Sequence, residues 1–134
     1  MSDALDIDPR HRPGDLVHIV LFRLRDDATD ADRREVDRRF RALADTERDG
    51  RRYIRRIRSG PQISPEGQGH GYQLGFVVEF DSEGDRNWYL GRPFVAEDAD
   101  FDPEHDAFKQ FVGPLLAPEG GVLVFDLVDG AGQA

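Results

Sequence analysis

The sequence predicts an α+β protein with the element order β-α-β-β-α-β, and three observations predict it. Apolar strand patterns open and close the chain, in "LVHIVLFRLR" from Leu16 and "GGVLVFDLV" from Gly120. Two more, "RRYIRRIRSG" and "GYQLGFVVEF", lie together in the middle. Helix patterns with recognisable caps fill the two gaps between them. At 134 residues the chain fits one domain able to bury a proper core.

Taken in order, residues 1–14 read as a flexible N-terminal arm, with Pro9, Pro13 and Gly14 and no periodicity. The domain proper is expected over 15–128, with 129–134 as a C-terminal tail. In the first strand His18, Val20, Phe22 and Leu24 share one face, and Val17, Ile19 and Leu21 the other. Both faces are apolar, which predicts a central strand covered on both sides. The first helix is expected to run to Gly50. Thr29 is its N-cap, with Asp32 in capping-box position and Val36, Phe40 and Leu43 as its apolar stripe. "RRYIRRIRSG" is a half-wet strand closed by Gly60-Pro61. In the next strand Tyr72, Leu74, Phe76, Val78 and Phe80 share a face. Ser82 opens a short helix, and an acidic connector over 94–102 leads to a further helix. That helix has Asp102 as N-cap, Pro103 at its first position, and Phe108, Phe111, Val112 and Leu115 as its apolar set.

This order is ferredoxin-like: an antiparallel four-stranded sheet with helices on one face. The other face, with Val17, Ile19, Leu21 and the apolar half of the last strand, needs a cover. A second copy of the chain is the simplest one, so a homodimer is expected.

Charge and composition narrow the function. The net charge of −9 opposes binding to nucleic acid and to anionic membrane surfaces. There is no cysteine, so disulfides and thiolate chemistry are excluded. No run approaches the ~20 apolar residues of a membrane span. The acidic N-terminus lacks the apolar region of a signal peptide, and a cytoplasmic location is expected. "DADFDPE" resembles the start of a Ca²⁺ loop but has Pro103 where glycine is required, so no metal site is expected.

The chemistry concentrates on a few polar residues. His105, at the third helical position, lies within about a quarter turn of Phe108 and Val112 and faces the sheet. Burial and the helix N-terminus both favour its neutral form, which can accept a proton; Asp102, Glu104 and Asp106 oppose this. The competing reading is a histidine that serves only the first turn of its helix. His18 lies on the face the helices cover and reads either as a pocket residue or as a satisfied core histidine. Tyr89, in "NWYLG", supplies a hydroxyl that suits a proton relay or an oxyanion, or else packs in the core. Trp88 reads mainly as packing.

The ordered elements "VHIVLFRLRDDAT", "GYQLGFVVEFDS", "WYL", "DPEHDAFKQFVGPLL" and "VLVFDLV" resemble the stress-responsive A/B barrel (Dabb) family over roughly residues 16–128. The matching positions are His18, Gly71-Tyr72, Tyr89, Pro103-Glu104-His105-Asp106-Ala107-Phe108 and Asp126. The resemblance implies a dimeric α+β barrel. It also implies cofactor-free chemistry, because one characterised plant member closes a polyketide by an aldol condensation. Carried over by position, His105 is the general base and Tyr89 its hydroxyl partner. His18, Phe22, Leu74, Phe76, Trp88 and Phe108 would line a pocket for a small apolar or aromatic carbonyl ligand. Leu74 replaces a pocket histidine of that plant member, and the connector is longer, so a different substrate is expected. The resulting expectation is a cofactor-free cyclase, lyase or isomerase. The alternatives are a non-catalytic stress-responsive dimer and a cofactor-independent monooxygenase.

Overall fold

The computed structural model describes residues 3–130. Its main sheet is built from β1 (Pro13–Phe22), β4 (Ile54–Pro61), β5 (Leu74–Ser82) and β6 (Val122–Val128) in the order β4-β5-β1-β6, with every neighbouring pair antiparallel. Three helices, α1 (Asp30–Ala42), α2 (Glu83–Leu90) and α3 (Pro103–Val112), pack on one face. The fold is the expected α+β ferredoxin-like one.

Local chemistry sets the helix starts. Thr29 and Asp32 form a reciprocal capping box on α1, Ser82 Oγ accepts from the Asp85 amide, and Asp102 caps α3. The period-2 alternation of β1 and β5 buries Leu16, His18, Val20 and Phe22 against Leu74, Phe76, Val78 and Phe80. Four aromatics close the centre between sheet and helices. Phe40 of α1 stacks on Phe76 at 4.0 Å between centroids, and Phe22 and Phe108 pack edge-on or parallel around them.

The first helix is shorter than expected. It ends at Ala42, a 3₁₀ turn spans Leu43–Asp45, and a hairpin of β2 (Glu47–Arg48) and β3 (Arg51–Arg52) follows. Asp49 and Gly50 both have positive φ, 53° and 80°, which is the two-residue Asp-Gly hairpin turn. Gly50 therefore turns a hairpin and does not end a helix. The hairpin tucks Arg48 under α2, where it is buried.

The N-terminal stretch also departs from expectation. Instead of hanging loose, residues 5–12 lie along α2. Leu5 N–H donates to Phe94 O, Asn87 Nδ2 to Asp6 O, and the amides of Gly84 and Glu83 to His11 O and Arg12 O. The strand pattern begins accordingly earlier, at Pro13.

β6 is one of the two edge strands of the sheet. On the face away from the helices Leu127, Phe125 and Leu123 stand opposite Val17, Ile19 and Leu21. Phe125 is 59% exposed there, while the β1 residues are half-buried. Val122, Val124 and Val128, on the helix side of β6, are exposed as well.

Candidate functional site

The N-cap of α3 places the central histidine. Asp102 Oδ1 accepts from the amides of Glu104 and His105 at 2.8 and 3.1 Å, and its Oδ2 accepts from the buried hydroxyl of Tyr53. The Asp102 amide in turn donates to Trp88 O at 3.2 Å. The long connector therefore returns to the end of α2, and Tyr89 is brought against His105 despite the residues between them. Burial raises the Asp102 carboxyl above the usual range, although the Tyr53 hydroxyl and the two amides oppose the shift. Asp102→Ala should remove two cap bonds and orphan the Tyr53 hydroxyl. A loss of about 2–4 kcal/mol in a urea titration is expected.

His105 is buried, and its ring stacks on Tyr89 with centroids 3.7 Å apart and planes 12° from parallel. Its Nδ1 lies 2.5 Å from the Tyr89 carbonyl oxygen. A carbonyl only accepts, so Nδ1 carries the proton and Nε2 keeps its lone pair. Burial pushes the imidazolium pKa down to about 3; the carbonyl works against the shift, and Lys109 and His18 add to it. The ring is neutral at pH 7. The unfolded chain, with an ordinary histidine near 6.5, takes up the proton first as pH falls. Stability tied to the neutral ring is thus complete above about pH 6.5 and is lost toward about pH 3, at up to about 1.4 kcal/mol per pH unit.

Tyr89 is fully buried and its hydroxyl has no hydrogen-bond partner among the described residues. Burial, then the charges of Asp102 and Asp126, push that hydroxyl well above the ordinary tyrosine value, so it stays protonated. It meets His105 ring on ring, not through a shared hydrogen bond.

His18 stands edge-on to Tyr89 at 5.5 Å. Its Nδ1 is 2.6 Å from Asp126 Oδ1, across the β1–β6 pairing that sets the two residues opposite each other. Arg86 donates to the other oxygen of Asp126 and to Asn87 Oδ1. Burial raises the Asp126 carboxyl, but the His18 bond and charge and the Arg86 guanidinium outweigh it and hold it below the usual range.

The structure thus divides the expected site residues among three places. His18, Tyr89 and His105 meet at the α2–α3 end. Phe22, Leu74, Phe76 and Phe108 lie in the buried core centred on the Phe40–Phe76 stack. Trp88 turns away, edge-on to Tyr53 at 4.8 Å and under the Arg48 guanidinium. A cleft of about 610 Å³ opens between α1 and α3, lined by Arg38, Arg39, Leu43, Glu104 and Phe108 among others. Of the expected site residues only Phe108 reaches it. Sequence reasoning missed Tyr53 and Arg86 and gave Asp126 no role. Of these, only Asp126 carried a signal, as the one charge in an otherwise apolar strand. Among the described residues no group of three or more His, Asp and Glu side chains is placed to hold a metal, and no helix is long and apolar enough to cross a membrane.

The β-α-β-β-α-β order of the main sheet, antiparallel throughout and with its helices on one face, defines a ferredoxin-like α+β class. Within that class residues 16–129 match the Stress Responsive A/B Barrel Domain, and the chain belongs to this Dabb family. Solved structures share the fold. At3g17210 from Arabidopsis thaliana is 20% identical, covers 84% of this chain and 92% of its own, and gives a TM-score of 0.66. The hydroxynitrile lyase from Passiflora edulis is 14% identical with a TM-score of 0.67, covering 87% of this chain and 94% of its own. A dimeric ferredoxin-like protein of unknown function from Thermobifida fusca is 18% identical with a TM-score of 0.60, covering 92% of this chain and 99% of its own. No curated protein matches the chain in sequence.

Proposed function

We propose that this Dabb protein is a homodimer whose protomers each bind a small carbonyl compound and move a proton beside its carbonyl without a cofactor, as a cyclase, lyase or isomerase does. The observation that carries this reading is the state of His105. The Tyr89 carbonyl fixes its tautomer, burial keeps it neutral, and Nε2 is left to accept a proton. The unpartnered hydroxyl of Tyr89, whose ring stacks on His105, is a donor kept protonated, suited to a developing oxyanion. Buried polar groups with unused hydrogen-bonding capacity are costly, and such groups concentrate at functional sites. With a pKa of about 3 the ring is a weak base in the closed site, so this reading requires a polar ligand beside it that raises the value. The fold is compatible with lyase chemistry, since one protein that shares it is a hydroxynitrile lyase. At 14% identity that similarity bears on the fold and not on the substrate. The homodimer rests on the apolar outer face of β1 and β6, and the Thermobifida protein of the same fold is dimeric.

A second reading is favoured by the Phe40–Phe76 stack and its neighbours, which fill the space between helices and sheet. It makes the protein a dimer without turnover. His105→Ala separates the two. On the first reading, the variant loses binding of small aromatic and aliphatic carbonyl compounds in a thermal-shift and calorimetric screen, with its Tm within a few degrees of the parent. On the second, the variant loses mainly Tm, and the parent binds none of the panel.

A further inference from the structure

The stretch ahead of the family match, residues 5–12, makes contacts that a passive tail does not need. α2 begins with amides that have no partner in their own helix. Arg12 O takes the Glu83 amide and His11 O the Gly84 amide, each at 3.2 Å, while Ser82 takes the Asp85 amide. Further along, Asp6 O accepts from Asn87 Nδ2 at 2.8 Å and Phe94 O accepts from the Leu5 amide at 2.9 Å. These contacts bracket Tyr89 on both sides in sequence. Arg48 ties the arrangement from beneath, donating to Ile7 O at 2.5 Å and to Asp85 Oδ1 at 3.1 Å.

Gly84 records how closely the two segments approach. A Cβ on this residue would sit 1.6 Å from the Asp8 carbonyl oxygen, a backbone atom with no flexible end to swing away. Any side chain there must lift the N-terminal stretch off the helix. Gly84 has no positive φ to explain a glycine, so the close approach is the physical reason for it.

We propose that residues 5–12 are a positioning strap, seated on Gly84, that clamps α2 against α3 and thereby holds the Tyr89 carbonyl where it fixes the His105 ring. The opposite side of the clamp is visible in α3, whose Lys109 Nζ donates to Leu90 O at 2.9 Å. With the strap in place, α2 is squeezed between sheet and strap. Gly84, Asp85, Asn87, Trp88 and Tyr89 are accordingly all buried in a helix of eight residues. Without it, the Tyr89–His105 contact loses its outer support and water gains access to the ring. The inference concerns the geometry of the site and holds whether or not a reaction is catalysed there.

The test is histidine NMR on full-length protein, with amide exchange as a second readout. The titratable and charged groups facing His105 are Asp102, Lys109, His18 and the Tyr89 hydroxyl, and none of them is altered. In Gly84→Ala the His105 midpoint should move from about 3 toward the ordinary value of about 6.5, and the amides of Leu5, Glu83 and residue 84 should exchange at least about tenfold faster. A variant with Leu5, Asp6, Ile7 and Asp8 all replaced by Gly or Ser keeps the strap's backbone acceptors but removes the Ile7 packing and the Asp6 and Asp8 turn bonds that shape them, and should give a smaller shift in the same direction. A folded variant with the parental midpoint and parental exchange would overturn the proposal. So would loss of the whole fold in both variants, since residues 5–12 would then be part of the core and not a positioning element.

Discussion

Asp85→Ala is expected to lose about 3–5 kcal/mol of stability, more than the loss expected for Asp102→Ala. The carboxylate is 1% exposed and the guanidinium of Arg48, its partner at 3.1 Å, is 8% exposed. Removing Asp85 leaves Arg48 buried with only the Ile7 carbonyl and the face of Trp88, at 5.0 Å, to compensate it. Neither neutralises a full charge. Arg51 also reaches Asp85, at 3.1 Å, but its side chain is 47% exposed and can turn to water. Arg51→Ala should therefore cost about 1 kcal/mol or less. The reversal is informative. Arg48→Met combined with Asp85→Leu removes both charges and should recover most of the loss, because a buried ion pair is worth little against apolar packing of similar volume. Urea titrations of the parent and the three variants close the comparison. If Asp85→Ala and Arg51→Ala prove equally mild, Arg48 is not buried in the way described.

That ion pair was illegible in the sequence for a definite reason. Asp85 stands in "SEGDRNWYLG", where an acidic residue in a first turn is ordinary helix chemistry, and Arg48 stands where the helix pattern reads on to Gly50. The Asp49-Gly50 hairpin signal is present in the sequence, and it turns Arg48 back under the fold. Charged neighbours carry the helix pattern through it and mask the turn. Features with local causes were readable. Thr29, Ser82 and Asp102 cap where their side chains predict, and the alternation of β1 and β5 names the buried faces. The position of His105 followed from its cap. What the local rules could not supply was pairing across long separations. Tyr53 and Asp102 are 49 residues apart and His18 and Asp126 are 108 apart. Their meeting depends on strand order and register, which no periodicity encodes. The apolar outer half of β6 was readable as well. That its helix side stays exposed within one protomer was not, because that depends on how far across the sheet the helices extend.

Phe125→Asp is expected to convert the proposed homodimer to a monomer at micromolar concentration. Phe125 is more than half exposed, so the change should leave the protomer's own stability within about 0.5 kcal/mol. It stands opposite Ile19, between the Leu127–Val17 and Leu123–Leu21 pairs, at the middle of the apolar outer face. A carboxylate there must be desolvated without a partner for the two sheets to close. Loss of a central aromatic anchor alone costs at least about 2 kcal/mol, or roughly thirtyfold in Kd. Sedimentation should therefore show the parent at twice its 15.2 kDa chain mass and the variant at that mass. A parent that sediments as a monomer removes the dimer from the proposed function. Side chains alternate along a strand, so Asp126 points to the opposite face, toward His18. The substitution thus cuts the interface without touching the His18–Asp126 pair. Ligand binding retained by the monomer would mean that each protomer carries a whole site. Binding lost with the dimer would mean that the second copy completes the site.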